Sequence, residues 1–218
     1  MLIDRKSANI IRTRRAELRA EFDLAHSFAE LEESCVPSYC HANALAAAVA
    51  WWRLLAACDL YRRFADPGPI LDFGAATGEL FHLLDTSQSY HYVEENDTLA
   101  AALQRRVPRA QRADLASLPR EHFAAIFALD SLEHNVDVGG IVDALLSALR
   151  PGAHMVVSGP TENALYRLGR RIAGFDGHYH KVTIYDIERV LAKRLECVHV
   201  QRVPLALPLF RLSVWNRA

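Results

Sequence analysis

Lysine is scarce in this chain, and its cysteines form no CxxC pair. Three Lys stand against 22 Arg, and the formal net charge is −1 at pH 7. So even a balance argues against a dedicated nucleic-acid binder, whose affinity rests on a basic surface. The arginine excess accompanies abundant alanine and reads as genome composition, so no partner is drawn from it. Four cysteines, Cys35, Cys40, Cys58 and Cys197, make no CxxC pair and lack a matching set of histidines, so no metal site is expected. They are expected to be reduced and mostly buried. The opening MLIDRKSANIIRTRR lacks the continuous apolar core and small-residue cleavage site of a secretory signal. Asp4 and Glu17 count against an organelle presequence. The longest apolar run, residues 44–52, is too short to span a bilayer and is followed directly by Arg53. Internal repeats and low-complexity tracts are missing as well. The expectation is a soluble, cytoplasmic protein without a transmembrane segment. With 218 residues it is long enough for one sizeable core, as a single α/β domain plus an appended helical segment.

What is present is organised around ILDFGAATGEL, residues 70–80. It reads as a short buried strand, a glycine turn, and a helix beginning near Glu79. Gly74 and Gly78 let the backbone turn sharply and approach a ligand where a β-carbon would intrude. The turn also brings a helix N-terminus, with its unpaired N–H groups, to the end of the strand that carries Asp72.

Before this stretch, apolar residues at helical spacing predict a helix over 11–33 and another over 43–64, the second carrying Trp51 and Trp52. DPGP at 66–69 is a turn that sets them apart from the sheet. After it, strands at 70–73, 90–93, near 110, 124–129 and 154–158 alternate with helical segments at 79–86, 97–106 and 139–149. That order argues for a parallel sheet with helices on both faces. Residues 196–203 and 209–216 read as a closing antiparallel pair joined through 204–208.

In a doubly wound sheet the ligand lies outside the carboxyl ends of the strands, so the residues there should converge. The second strand ends in Glu94 and Glu95, where an acidic side chain can accept hydrogen bonds from two ribose hydroxyls. Asp114 follows the third strand, and FAAIFALDSLEHN carries Asp130 and His134 past the fourth. LRPGAHMVVSGPTEN leads into the fifth, with Pro151 and Gly152 serving a turn.

In order and spacing this series resembles the class I S-adenosylmethionine-dependent methyltransferases over residues 68–160. Their first motif, an acidic residue, any residue, glycine, three residues, glycine, is matched by Asp72, Gly74 and Gly78, with Phe73 and Ala75 between. Asp130, Leu132, Glu133 and His134 resemble the Asp-x-Leu-Glu-His segment of small-molecule methyltransferases such as the ubiquinone-biosynthesis O-methyltransferases. GHYHKVTIYDIERVL is similar to the pattern before their last helix and contributes His178 and His180.

The resemblance implies a Rossmann-like, mostly parallel seven-stranded sheet with a C-terminal antiparallel strand. The two helices before the DPGP turn are expected either to form a lid over 1–66 or to cover one face of the sheet, with the methyltransferase domain over 67–218 and an insert at about 160–180. The resemblance also implies S-adenosylmethionine as cofactor and S-adenosylhomocysteine as product. The cofactor would lie on Asp72, Phe73, Gly74, Ala75 and Gly78. Glu94 would bind the ribose, with Glu95 its competitor. Asp114 and Leu115 would meet the adenine, and Asp130 would stand beside the sulfonium.

Methyl transfer needs an acceptor held close, aligned and dry. A hydroxyl acceptor is helped by a base, for which His134, His178 and His180 are the candidates. Trp51, Trp52, Tyr166 and Phe175 suggest an apolar or aromatic small-molecule acceptor. Arg167, Arg170 and Arg171 suggest an anionic group on it, a lipid-linked acceptor or a membrane surface. An NAD-dependent oxidoreductase also needs a glycine turn and an acidic ribose ligand, but its G-x-G-x-x-G fingerprint fails here. A methyltransferase fold serving as a catalytically silent, partner-binding protein is the other alternative.

Overall fold

The computed structural model describes residues 3–22, 31, 34–172, 181–204 and 208–217. The alternation after the DPGP turn becomes a seven-stranded sheet in the order β3-β2-β1-β4-β5-β7-β6. Its strands are β1 Ile70–Phe73, β2 Tyr90–Val93, β3 Gln111–Arg112, β4 Phe123–Leu129, β5 Leu149–Pro160, β6 Glu196–Val203 and β7 Phe210–Asn216. Neighbours from β3 through β5 run parallel, whereas β7 slots antiparallel between β5 and β6. This is the Rossmann-like arrangement expected from the sequence. The central strands β1 and β4 are buried along their whole length, as strands covered on both faces must be.

Side-chain alternation divides the core in two. Ile70, Tyr90, Tyr92, Ala125, Phe127, Val156 and Val214 face one helical layer, made by α1 Arg5–Glu21, α2 Val36–Tyr39, α3 Ala44–Phe64, α4 Glu79–Leu84 and α5 Asp97–Arg106. Leu71, Phe73, Ile126, Ala128, Met155 and Val157 face the other, made by α6 Val138–Ala148 and α8 Ile184–Leu191. Between them in sequence lies α7 Ala164–Ile172. Each large apolar side chain fully withdrawn from water contributes about 2 kcal/mol, so the two layers hold the strand ends rigidly enough to carry a site.

Several boundaries differ from the expectation. The first helix begins at Arg5, because the Asp4 carboxylate accepts the Ser7 N–H and caps it. It ends at Glu21, and residues 23–30 and 32–33 lie outside the described part. The helix after the glycine turn stops at Leu84. The fifth strand starts five residues early. Phe123 pairs with Leu149 and Ala125 with His154, so the Pro151–Gly152 turn is absorbed as an irregularity inside the strand, with Gly152 at φ 75°.

The second helix, α3, continues past the apolar run to 21 residues, long and apolar enough to cross a membrane by length and composition alone. Here it covers the sheet, burying Ala50, Trp51, Arg53, Leu54, Ala57, Cys58 and Leu60. Trp51 is a core residue whose indole N–H donates to the Tyr39 carbonyl at 2.9 Å.

Candidate active site

Where β1 leaves the sheet the chain must reverse over the end of β4. Gly74 takes φ 75°, and a β-carbon on it would sit 2.4 Å from the Ser131 Cβ. Gly78 takes φ 81°, and its β-carbon would press on Leu103 of α5. Ala76, between them, adopts φ 47° although it is not glycine, a conformation that costs of order 1 kcal/mol unless its surroundings hold it. What holds it is Glu94. One carboxylate oxygen of Glu94 accepts the Ala76 N–H at 2.8 Å, and the other accepts the Asn96 N–H at 2.9 Å. Burial raises the pKa of Glu94, and the two backbone donors oppose that rise. Each oxygen keeps a further lone pair for an outside donor. Glu95 is exposed, so of the two acids it is Glu94 that joins the glycine turn.

The remaining cofactor candidates fall at different distances from this turn. Phe73 closes β1, and Ala75 is buried within the turn. Asp72 points away, into the layer beneath α3, where its carboxylate accepts the Tyr90 hydroxyl. Burial, only partly offset by that bond, lifts its pKa to about 7. Asp114 caps the short helical turn Leu115–Ser117 by accepting the Ala116 N–H at 3.1 Å, and Leu115 packs on the second core.

Asp130 stands just past β4 at φ 50°. It is held there by the Ser158 hydroxyl, which donates to its Oδ1 at 2.6 Å, and by a salt bridge from the Arg53 guanidinium to its Oδ2. Arg53 is 2 % exposed. Its other terminal nitrogen donates to the Tyr39 hydroxyl at 3.0 Å and to the Cys35 sulfur at 3.4 Å, and the guanidinium lies 5.2 Å from the Phe210 ring centre. Burial works against that cation, but the Asp130 charge overrides it and leaves Arg53 well above its ordinary pKa. Cys35 and Tyr39 are pushed up by the same burial. Glu133 completes the group: it is buried, and among the described residues neither carboxyl oxygen has a hydrogen-bond partner. His134, half-buried, ends the short helical turn Leu132–His134. His178, His180 and Phe175 lie outside the described residues, as do the side chains of Leu168, Arg170 and Ile172.

The structure therefore adds residues that the sequence did not single out. Arg53 had a detectable signal. It lies on the stripe Ala50, Arg53, Ala57, Leu60 of a helix whose polar residues otherwise sit near its ends. Arg14 and Glu79 had none. Their buried ion pair, at 2.8 and 2.9 Å, ties α1 to the first residue of α4, where Glu79 also accepts the Thr77 hydroxyl at 3.0 Å. Among the described residues no group of three or more His, Cys, Asp or Glu side chains could hold a metal ion.

A tight glycine turn, an acid with free lone pairs beside it, and a buried acidic group at the next strand end make a donor and acceptor set that fits a ribose-bearing, cationic cofactor. The family profile agrees. The chain belongs to the methyltransferase-domain family, whose profile matches residues 50–199. Solved structures share the fold at low identity. A protein of Pyrococcus horikoshii OT3 is 14 % identical with a TM-score of 0.66, over 84 % of this chain and 96 % of its own. Magnesium protoporphyrin IX methyltransferase of Synechocystis PCC 6803, solved with bound S-adenosylhomocysteine, is 13 % identical with a TM-score of 0.65, over 90 % and 97 %. The N-methyltransferase NodS of Bradyrhizobium japonicum WM9 is 16 % identical with a TM-score of 0.61, over 78 % and 98 %. No curated protein matches the sequence.

Proposed function

We propose that this protein is a S-adenosylmethionine-dependent methyltransferase acting on a hydroxyl oxygen of a small molecule, of the kind that carries the Asp-x-Leu-Glu-His segment. The observation that carries the reading is the Glu94 carboxylate bonded to the Ala76 N–H of the glycine turn, an acid with lone pairs to spare beside a close-approach backbone. S-adenosylmethionine supplies, when bound, an activated methyl group on a sulfonium sulfur. Glu94 takes the ribose, with Glu95 outside it. Phe73, Gly74, Ala75 and Gly78 form the floor, Asp72 supports them from below, and Asp114 and Leu115 flank the adenine.

Asp130 stands beside the place where the sulfonium is to lie, and Arg53 and Ser158 fix its direction. His134, with His178 and His180, serves as the base for a hydroxyl acceptor. The N-terminal segment 1–66 serves as the lid on the acceptor side, and the insert after β5 contributes Tyr166, Arg167 and Arg171 toward an apolar acceptor that bears an anionic group. The working place is the cytoplasm.

The test is a panel of hydroxyl-bearing aromatic and lipid-linked acceptors offered with methyl-labelled S-adenosylmethionine. His134→Ala is expected to keep its affinity for S-adenosylhomocysteine while turnover falls on the order of 100-fold. Cofactor binding without methylation of any acceptor, together with a stable protein partner recovered with the chain, would favour the partner-binding alternative.

A further inference from the structure

Glu133 is 1 % exposed, lies in the turn directly after Asp130, and has no hydrogen-bond partner for either carboxyl oxygen among the described residues. An ionised carboxylate left so costs several kcal/mol. Among the described residues the charged and titratable groups that face it are Asp130 on its own turn, Arg53 from α3, Glu162 after β5 and Cys35 before α2. From the other side α8 packs against the turn with the apolar Ile184 and Ile187, and the Lys181 N–H donates to the Glu133 carbonyl. Arg53 and Asp130 cancel one another. Burial first, then the Asp130 charge, pushes the Glu133 pKa well up, and a carboxyl buried without a partner is favoured in its protonated form.

A cation arriving beside Asp130 changes that balance. In a buried cluster one added positive charge is best offset by the loss of one proton from the nearest uncompensated acid. We propose that Glu133 is the proton-exchanging group of the methyl-transfer site: its carboxyl gives up a proton when the sulfonium binds beside the Arg53–Asp130 pair, and takes one back as the methyl group leaves. The inference rests on the cofactor reading above. In the transfer the acceptor O–H bond breaks and an O–CH3 bond forms. The S–CH3 electron pair stays on sulfur, which becomes an uncharged thioether. Whichever base receives the acceptor's proton first, it comes to rest on the Glu133 carboxylate, and the cluster's net charge is the same before and after.

S-adenosylmethionine and S-adenosylhomocysteine differ by one methyl group and that one charge, so comparing them isolates the effect. Calorimetric titration at pH 7 in buffers of different ionisation enthalpy counts the protons. Wild-type protein is expected to release about one proton more with S-adenosylmethionine than with S-adenosylhomocysteine. Glu133→Gln, an isostere of the protonated form, is expected to bind both ligands with no such difference. Equal release by the wild type overturns the proposal, and so does an excess that survives in Glu133→Gln, because the proton then comes from Asp72 or a histidine.

Infrared difference spectra of the wild type give a second readout that needs no variant. A protonated-carboxyl C=O band is expected to bleach with S-adenosylmethionine and not with S-adenosylhomocysteine, and a band that responds equally to both contradicts the assignment. Binding of neither adenosyl ligand overturns the cofactor reading itself, and the inference with it.

Discussion

Asp72 stands one residue short of the end of β1, and strand alternation turns its side chain to the Ile70 face, under α3. There it meets the hydroxyl of Tyr90, two residues off its direct cross-strand partner Tyr92. The carboxyl has a pKa of about 7 in the folded chain, against 3.8 when exposed. A raised folded pKa stabilises fully below the unfolded value and loses that stabilisation as the pH climbs through the folded one. Unfolding by urea is therefore expected to show Asp72→Asn gaining on the wild type between pH 4 and pH 8, by on the order of a few kcal/mol. Parallel pH profiles would contradict this account of Asp72. The position of this acid in the first motif was legible in the sequence. The direction of its side chain was implicit in the two-residue period, but the diagonal Tyr90 partner depends on strand register, which the sequence does not display. Glu94 was easier to place, because its partners Ala76 and Asn96 lie on the turn and on the cap beside it.

Among the elements, α3 connects the N-terminal segment to the site. Its helical period and its apolar face were readable from residues 43–64, and the observed helix Ala44–Phe64 falls almost on those bounds. Arg53 broke the apolar run and so served to end a candidate membrane span. In the structure it is the cation that holds Asp130, 77 residues away. Removing one partner of a buried pair leaves the other charge uncompensated and costs about 3–5 kcal/mol. Arg53→Met is expected to lose that much stability in urea unfolding, and adding Asp130→Asn is expected to recover most of it. A single variant within about 1 kcal/mol of the wild type would show that the pair does not hold the strand end. The fifth strand illustrates the opposite limit. Its Pro-Gly pair is a sound turn signal, yet pairing with β4 and β7 on either side absorbs the turn into the strand.

On the scale of the whole molecule, the parallel sheet and its closing antiparallel strand followed from the alternation of apolar segments and from the resemblance to the family. The insertion of β7 between β5 and β6 places Phe210 over Arg53 and so closes the polar group from the far edge of the sheet. That contact joins residues 157 positions apart, which periodicity cannot reveal. The buried Arg14–Glu79 pair was hidden for the same reason, and it ties the N-terminal helix to the glycine turn. Together these contacts support the proposal that the carboxyl edge of the sheet is a preformed site for an adenosyl cofactor. The most direct test is calorimetric titration of the purified protein with S-adenosylmethionine and S-adenosylhomocysteine, with NADH and Glu94→Ala as controls. Both adenosyl ligands are expected to bind and NADH is not, and Glu94→Ala is expected to weaken both by at least about 10-fold, the loss of charge-assisted bonds. Binding of NADH, binding of no ligand by folded protein, or undiminished affinity in Glu94→Ala would contradict the proposal.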